Sequence, residues 1–104
     1  MSVLIAFTTL PDLESAVKLA DTLVEAHCAA CVHILPGGRS VYRWMGKIEH
    51  TDEAMLIMKT TEAMYPLLER RILEAHPYDL PEIVAVPATH GLPGYLEWIS
   101  RETA

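Results

Sequence analysis

The sequence is poor in the residues that most often announce a chemistry. Cysteine occurs only as Cys28 and Cys31, and a bond between two so close in sequence would close a very small loop and staple nothing distant, so both are expected as reduced thiols. Basic side chains are also few. Eight lysines and arginines stand against fourteen acids, for a formal charge of -6. The eight are scattered rather than gathered into a stripe that could neutralise consecutive phosphates, which argues against nucleic acid as a partner. The apolar run at residues 3–7 is too short to cross a bilayer and lacks the basic flank and cleavage site of a signal peptide. No membrane partner and a cytoplasmic location are therefore expected. Nucleophile elbow, phosphate loop, paired-carboxylate signature and zinc-hydrolase spacing are all missing, and the expectation is a protein that is not an enzyme.

What is present suits one folded unit over residues 1–104, with 51% hydrophobic and 21% charged residues and enough length for one modest core. Residues 3–9 form an apolar, partly β-branched run that reads as a buried strand. Asp12, with Glu14 near the positive end of the helix dipole, starts a helix whose apolar stripe is Leu13, Ala16, Val17, Ala20, Leu23, Val24 and His27, spaced by three and four. A second strand over residues 30–35 is ended by Pro36-Gly37-Gly38, and residues 40–45 begin a long aromatic hairpin arm that turns at Gly46. After a polar stretch at 49–52 a third strand runs from Ala54 to Thr60. Thr60 or Thr61 is expected to cap a second helix, regular from near Pro66, with Leu68, Ile72 and Ala75 buried and Met64 or Leu67 near its start. Prolines 77 and 81 force an extended crossing. Residues 82–86 form a fourth strand, and a linker leads to a short helix or strand at 95–99.

This β-α-β-β-α-β order places both helices on one face of an antiparallel sheet, since the crossovers are right-handed. Yet the strands are apolar on both alternating sets. Leu4, Ala6, Met55, Ile57, Ile83 and Ala85 are assigned to one, and Val3, Ile5, Leu56, Met58, Val84 and Val86 to the other. Leaving about five such side chains wet forfeits roughly 1.5 to 3 kcal/mol for each larger one, so self-association is expected.

Several landmarks follow one another in order: Ala29-Ala30-Cys31, Tyr42-Arg43-Trp44 with Gly46-Lys47, Lys59-Thr60, His76-Pro77-Tyr78 with Pro81-Glu82, and Tyr95-Leu96-Glu97-Trp98. Over nearly the whole chain they resemble the CutA divalent-cation tolerance proteins. The resemblance implies an α/β fold, an α+β sandwich on a ferredoxin-like plan, with a long hairpin arm and a short C-terminal segment. It also implies a tight homotrimer similar in architecture to PII-type signalling trimers, with apolar sheet faces meeting inside.

Candidate sites are few. His27-Cys28-Ala29-Ala30-Cys31-Val32-His33 holds a Cys-x-x-Cys pair flanked by histidines, which suggests thiol redox or soft-metal chemistry. Against redox, Cys28 follows a helix C-terminus, where the dipole disfavours a thiolate, and it reads as a small core residue. Cys31 and His33 fall on one face of a strand and can approach a common ion. His76, in a stiff turn between the second helix and the last strand, is the leading candidate ligand, with Cys31 or His33 as possible help; the alternative is that it caps helix carbonyls or hydrogen-bonds within the turn. The copper ligands implied by the resemblance, a cysteine ending the first strand and two adjacent histidines before Pro-Tyr, correspond here to Thr8, Ala75 and His76, one match in three. The expected metal is copper or another divalent cation, weakly bound, with no cofactor required. His50 and His90 read as loop residues. Tyr42, Trp44, Lys59, Tyr78, Glu82, Tyr95 and Trp98 are expected to line a cleft between subunits, although aromatics in an arm that packs on a neighbour need no ligand. The leading expectation is a non-enzymatic homotrimer of the divalent-cation tolerance type that responds to metal ions. The alternatives are a PII-like trimer sensing a small metabolite and a weak thiol oxidoreductase.

Overall fold

The computed structural model describes residues 2–104; Met1, inside the single unit expected over 1–104, lies outside the described residues. Its elements run β1 (Val3–Leu10), α1 (Leu13–Glu25), β2 (Cys31–Trp44), β3 (Lys47–Thr61), α2 (Tyr65–Ala75), β4 (Val84–Pro87) and α3 (Pro93–Glu102). The strands lie side by side as β2-β3-β1-β4, each pair antiparallel. This is the ferredoxin-like α/β plan that the sequence implies.

Asp12 starts α1 as expected. Its carboxylate accepts from the Ser15 backbone N–H at 2.7 Å, and the bonds from Ser15 hold the carboxyl below its ordinary value. The stripe is rotated from the expected one. Ala16, Leu19, Ala20 and Leu23 are buried, whereas Leu13, Val17 and Val24 are 49%, 41% and 43% exposed. The last three lie about 60 to 100° round the axis from Ala16, just past the edge of the face that meets the sheet. His27 is exposed too. It takes a left-handed conformation (φ 59) that ends the helix, while Cys28 N–H donates to Leu23 O at 3.0 Å.

The arm is longer than expected, because Pro36-Gly37-Gly38 does not end β2. Leu35 pairs with Met55 and Gly38 with Glu53, so β2 spends one residue more than β3 across this step, a β-bulge that Gly37 (φ 76) accommodates. The polar stretch 49–52, His50 included, is not a loop but the returning limb. Trp44 pairs with Lys47 across the two-residue turn Met45-Gly46, both at positive φ.

Neither Thr60 nor Thr61 caps α2. Both are buried at the end of β3, and the Thr60 hydroxyl donates to Cys28 O at 2.6 Å. The helix begins at Tyr65 with Pro66 in its first turn and buries Leu68 and Ile72, leaving Ala75 exposed. β4 starts two residues later than expected. The terminal segment is a full helix, α3, with Pro93 in its first turn.

Both helices do share one side of the sheet, but the register reassigns β3. Ala6 lies opposite Met58, Thr8 opposite Leu56, and Phe7 opposite Ile57. The core beneath the helices therefore holds Ala6, Ala54, Leu56 and Met58, joined by Ile83 and Ala85. The other face carries Ile5, Phe7, Met55, Ile57, Val84 and Val86. Alternation within a strand separates its two faces but says nothing of which one meets which in the next strand. On that other face α3 covers one corner only, where Ile99 packs with Val3 and Ala30. Val84 and Val86 remain 50% and 46% exposed.

Inside the core the Thr8 hydroxyl is fully buried and has no hydrogen-bond partner among the described residues. Thr8→Val keeps the shape and removes the stranded group, so it should stabilise the fold by about 1 kcal/mol, read as a higher denaturant midpoint with an unchanged slope.

Candidate functional site

A cleft opens where the arm leaves the sheet and the crossing between α2 and β4 passes beneath it. His76 anchors the crossing. Its Nε2–H donates to Thr9 O at 2.6 Å, and its Nδ1 accepts from the Tyr78 backbone N–H at 3.2 Å. A carbonyl can only accept and an amide N–H can only donate, so the partners set the tautomer and commit both ring nitrogens. The ring also packs against Tyr78, with centroids 4.7 Å apart. Expected as a metal ligand, His76 has no free lone pair in this arrangement.

Tyr78 links the crossing to the arm. Its hydroxyl donates to one carboxylate oxygen of Glu53 at 2.8 Å, and the Ser40 hydroxyl donates to the other. Burial first, then the Glu53 carboxylate, pushes the Tyr78 hydroxyl up to about 12, so it stays protonated and remains a donor. Further out, the Tyr42 and Thr51 hydroxyls are 2.9 Å apart. The cleft encloses about 780 Å³, with Tyr42 and Trp44 on the arm side and Tyr78, Asp79 and Glu82 on the crossing side.

The other expected cleft residues lie elsewhere. Lys59 Nζ donates to Tyr95 OH at 3.1 Å, and Tyr95 stacks on Trp98 with centroids 5.6 Å apart. The bond to Tyr95 is the main reason the Lys59 ammonium is held above its ordinary value. Lys59 is six residues from Glu53 along β3, about 20 Å. Within one chain, then, the seven residues form two clusters, with Tyr42, Trp44, Tyr78 and Glu82 in the cleft and Lys59, Tyr95 and Trp98 beside α3.

Cys31 belongs with the second cluster, opposite Lys59, and His33 follows on the same open face opposite Ile57. Thr9, which holds His76, is four residues along β1 from Ile5, the partner of Lys59. That is about 13 Å, so Cys31 and His76 of one chain do not share an ion. Among the described residues no group of three or more His, Cys, Asp or Glu side chains is placed to hold a metal ion. Cys28 is fully buried, and burial raises its thiol, which leaves it a poor nucleophile.

Glu53, Ser40 and Thr51 were not legible as site residues. The only signal for Glu53 was a carboxylate at the head of an apolar strand, which reads equally well as a solvated strand end.

A four-stranded ferredoxin-like sheet with one open face, a long β2-β3 arm and a helix across one corner defines the structural class. The profile of the family described as CutA1 divalent ion tolerance protein matches residues 4–102, and the chain belongs to that family. It is 42% identical over 99 residues to the divalent-cation tolerance protein CutA of Thermus thermophilus, covering 95% of this chain and 96% of that one. With the chloroplastic protein CutA of Arabidopsis thaliana it shares 40% identity over 100 residues, 96% of this chain but 55% of that one. The chain thus spans about half the length of the plant relative. Among solved structures, CutA of Xylella fastidiosa superposes with a TM-score of 0.97 at 45% identity over 100% of both chains. The periplasmic divalent cation tolerance protein CutA of Archaeoglobus fulgidus gives 0.94 at 34% identity, over 98% of this chain and 99% of that one. No helix among the described residues is long and apolar enough to cross a membrane.

Proposed function

We propose that the chain works as a single-domain, non-enzymatic homotrimer of the divalent-cation tolerance type, cytoplasmic, taking part in the response to metal ions and binding copper or another divalent cation weakly. The open sheet face carries this reading. Ile5, Phe7, Met55, Ile57, Val84 and Val86 form an apolar surface that α3 covers at one corner only, and copies of the chain meeting there would remove it from water. The number three comes from the family resemblance.

Cys31 and His33 lie two residues apart on that same face. A soft sulfur and an imidazole suit copper and zinc, and two ligands per chain hold an ion weakly unless a second copy adds its own. His76 would join only by giving up its bond to Thr9. In calorimetric titrations with zinc and with copper, Cys31→Ser and His33→Ala should each weaken binding by roughly tenfold, while His76→Ala should change it little. Isotherms identical to wild type for all three variants would remove these residues from the site.

The cleft supports a second reading, a PII-like trimer that senses a small metabolite. Its volume of about 780 Å³ falls in the range small-ligand sites occupy. Thr9, at the end of the open face, lines it, so copies meeting on that face would border it.

A further inference from the structure

We infer that the cleft at the base of the arm selects a small organic cation, a ligand presenting an ammonium group. The inference rests on the small-molecule reading of this cleft and adds the class of ligand. Its lining includes Tyr42, Trp44 and Tyr78 together with three acidic residues, Glu53, Asp79 and Glu82. Among the described residues of one chain, no lysine, arginine or histidine lines it. Both Glu53 oxygens accept from neutral hydroxyls, those of Ser40 and Tyr78, and neither meets a cation. The nearest ion pair on the arm, Arg39 with Asp52 at 3.9 Å, lies on exposed side chains outside the lining.

The ring faces and the carboxylates act in the same direction. Aromatic quadrupoles attract a diffuse, weakly hydrated cation, and the field of three acids with no base repels anions. A bare divalent ion is a poorer match. It needs several oxygens converging at short range, whereas these carboxylates do not form a metal-holding group and aromatic rings cannot replace its water shell.

The test uses the intact chain and three probes of similar size and different charge: tetramethylammonium, neopentyl alcohol and pivalate. Binding is followed by calorimetry and by the indole N–H signal of Trp44 in NMR spectra. Tetramethylammonium should bind at least about tenfold more tightly than neopentyl alcohol, pivalate should bind more weakly still, and the Trp44 signal should move during the first titration. Trp44→Leu should lose about tenfold in tetramethylammonium affinity, and the double variant Asp79→Asn, Glu82→Gln a similar factor, with thermal midpoints showing that both still fold. Equal or tighter binding of the alcohol or pivalate would overturn the cation preference while leaving a small-molecule site standing. A Trp44 signal that stays still while the cation binds would place the cation elsewhere and overturn the inference. If no probe binds and a thermal-shift screen of metabolites also finds none, the inference and the small-molecule reading fall together, as they would if a second copy's arm fills the cleft.

Discussion

Replacing Ile57 by glutamate should leave a chain that folds but does not assemble. Its sedimenting mass should be 11.6 kDa, against about three times that for the wild type under the proposed assembly. Ile57 sits in the middle of the open face, with Phe7 opposite on β1 and His33 opposite on β2, well away from the corner that α3 covers. In an isolated chain the new carboxylate faces water at little cost. Between copies it would be a charge buried in an apolar contact with the His33 imidazole opposite, at a cost of roughly several kcal/mol that every copy would incur. An Ile57→Glu protein that sediments like the wild type would exclude this face as the interface.

One residue earlier a simple truncation should have a different outcome. Leu56 is fully buried in the core beneath the helices, and Leu56→Ala removes three carbons from a site enclosed by β1, β3 and both crossover helices. The expected loss is about 2 to 5 kcal/mol of folding stability, a large share of the roughly 5 to 15 kcal/mol that holds a domain together. Urea unfolding should show it as a lower midpoint with little change in slope. Together the neighbouring variants separate two roles of one strand, assembly on the odd-numbered side and folding on the even-numbered side. A Leu56→Ala unfolding free energy within about 0.5 kcal/mol of wild type would mean that the core is much looser than its burial implies.

This division was only partly legible in the sequence. The order of elements, the Asp12 cap and the apolar character of both sheet faces follow from local signals, because hydrophobic spacing and capping chemistry act within a few residues. The composition of each face did not follow. Residues 3–7 of β1 and 54–58 of β3 are apolar at every position, and only their pairing decides that Ile57 rather than Leu56 lies beside Phe7. The same limit hid the site. Glu53 gains its meaning from Ser40 and Tyr78, thirteen and twenty-five residues away, and His76 looks like a free imidazole until the end of β1 is placed against it. His33 and Cys31 could be put on one face from spacing alone, since they share a strand.

The extra residue at Pro36-Gly37-Gly38 works as a phase shifter. Before it, the odd-numbered residues of β2, Cys31, His33 and Leu35, stand opposite Lys59, Ile57 and Met55; beyond it, the even-numbered Ser40, Tyr42 and Trp44 stand opposite Thr51, Glu49 and Lys47. The open side of the sheet therefore continues into the arm through Tyr42 and Trp44. Without the added residue the outer β2 limb would keep its old parity, turning Val41 and Arg43 towards the crossing and the aromatic pair away from it. One glycine-assisted irregularity thus sets both the ring content and the sign of charge on that wall, at a position whose own side chains touch no ligand.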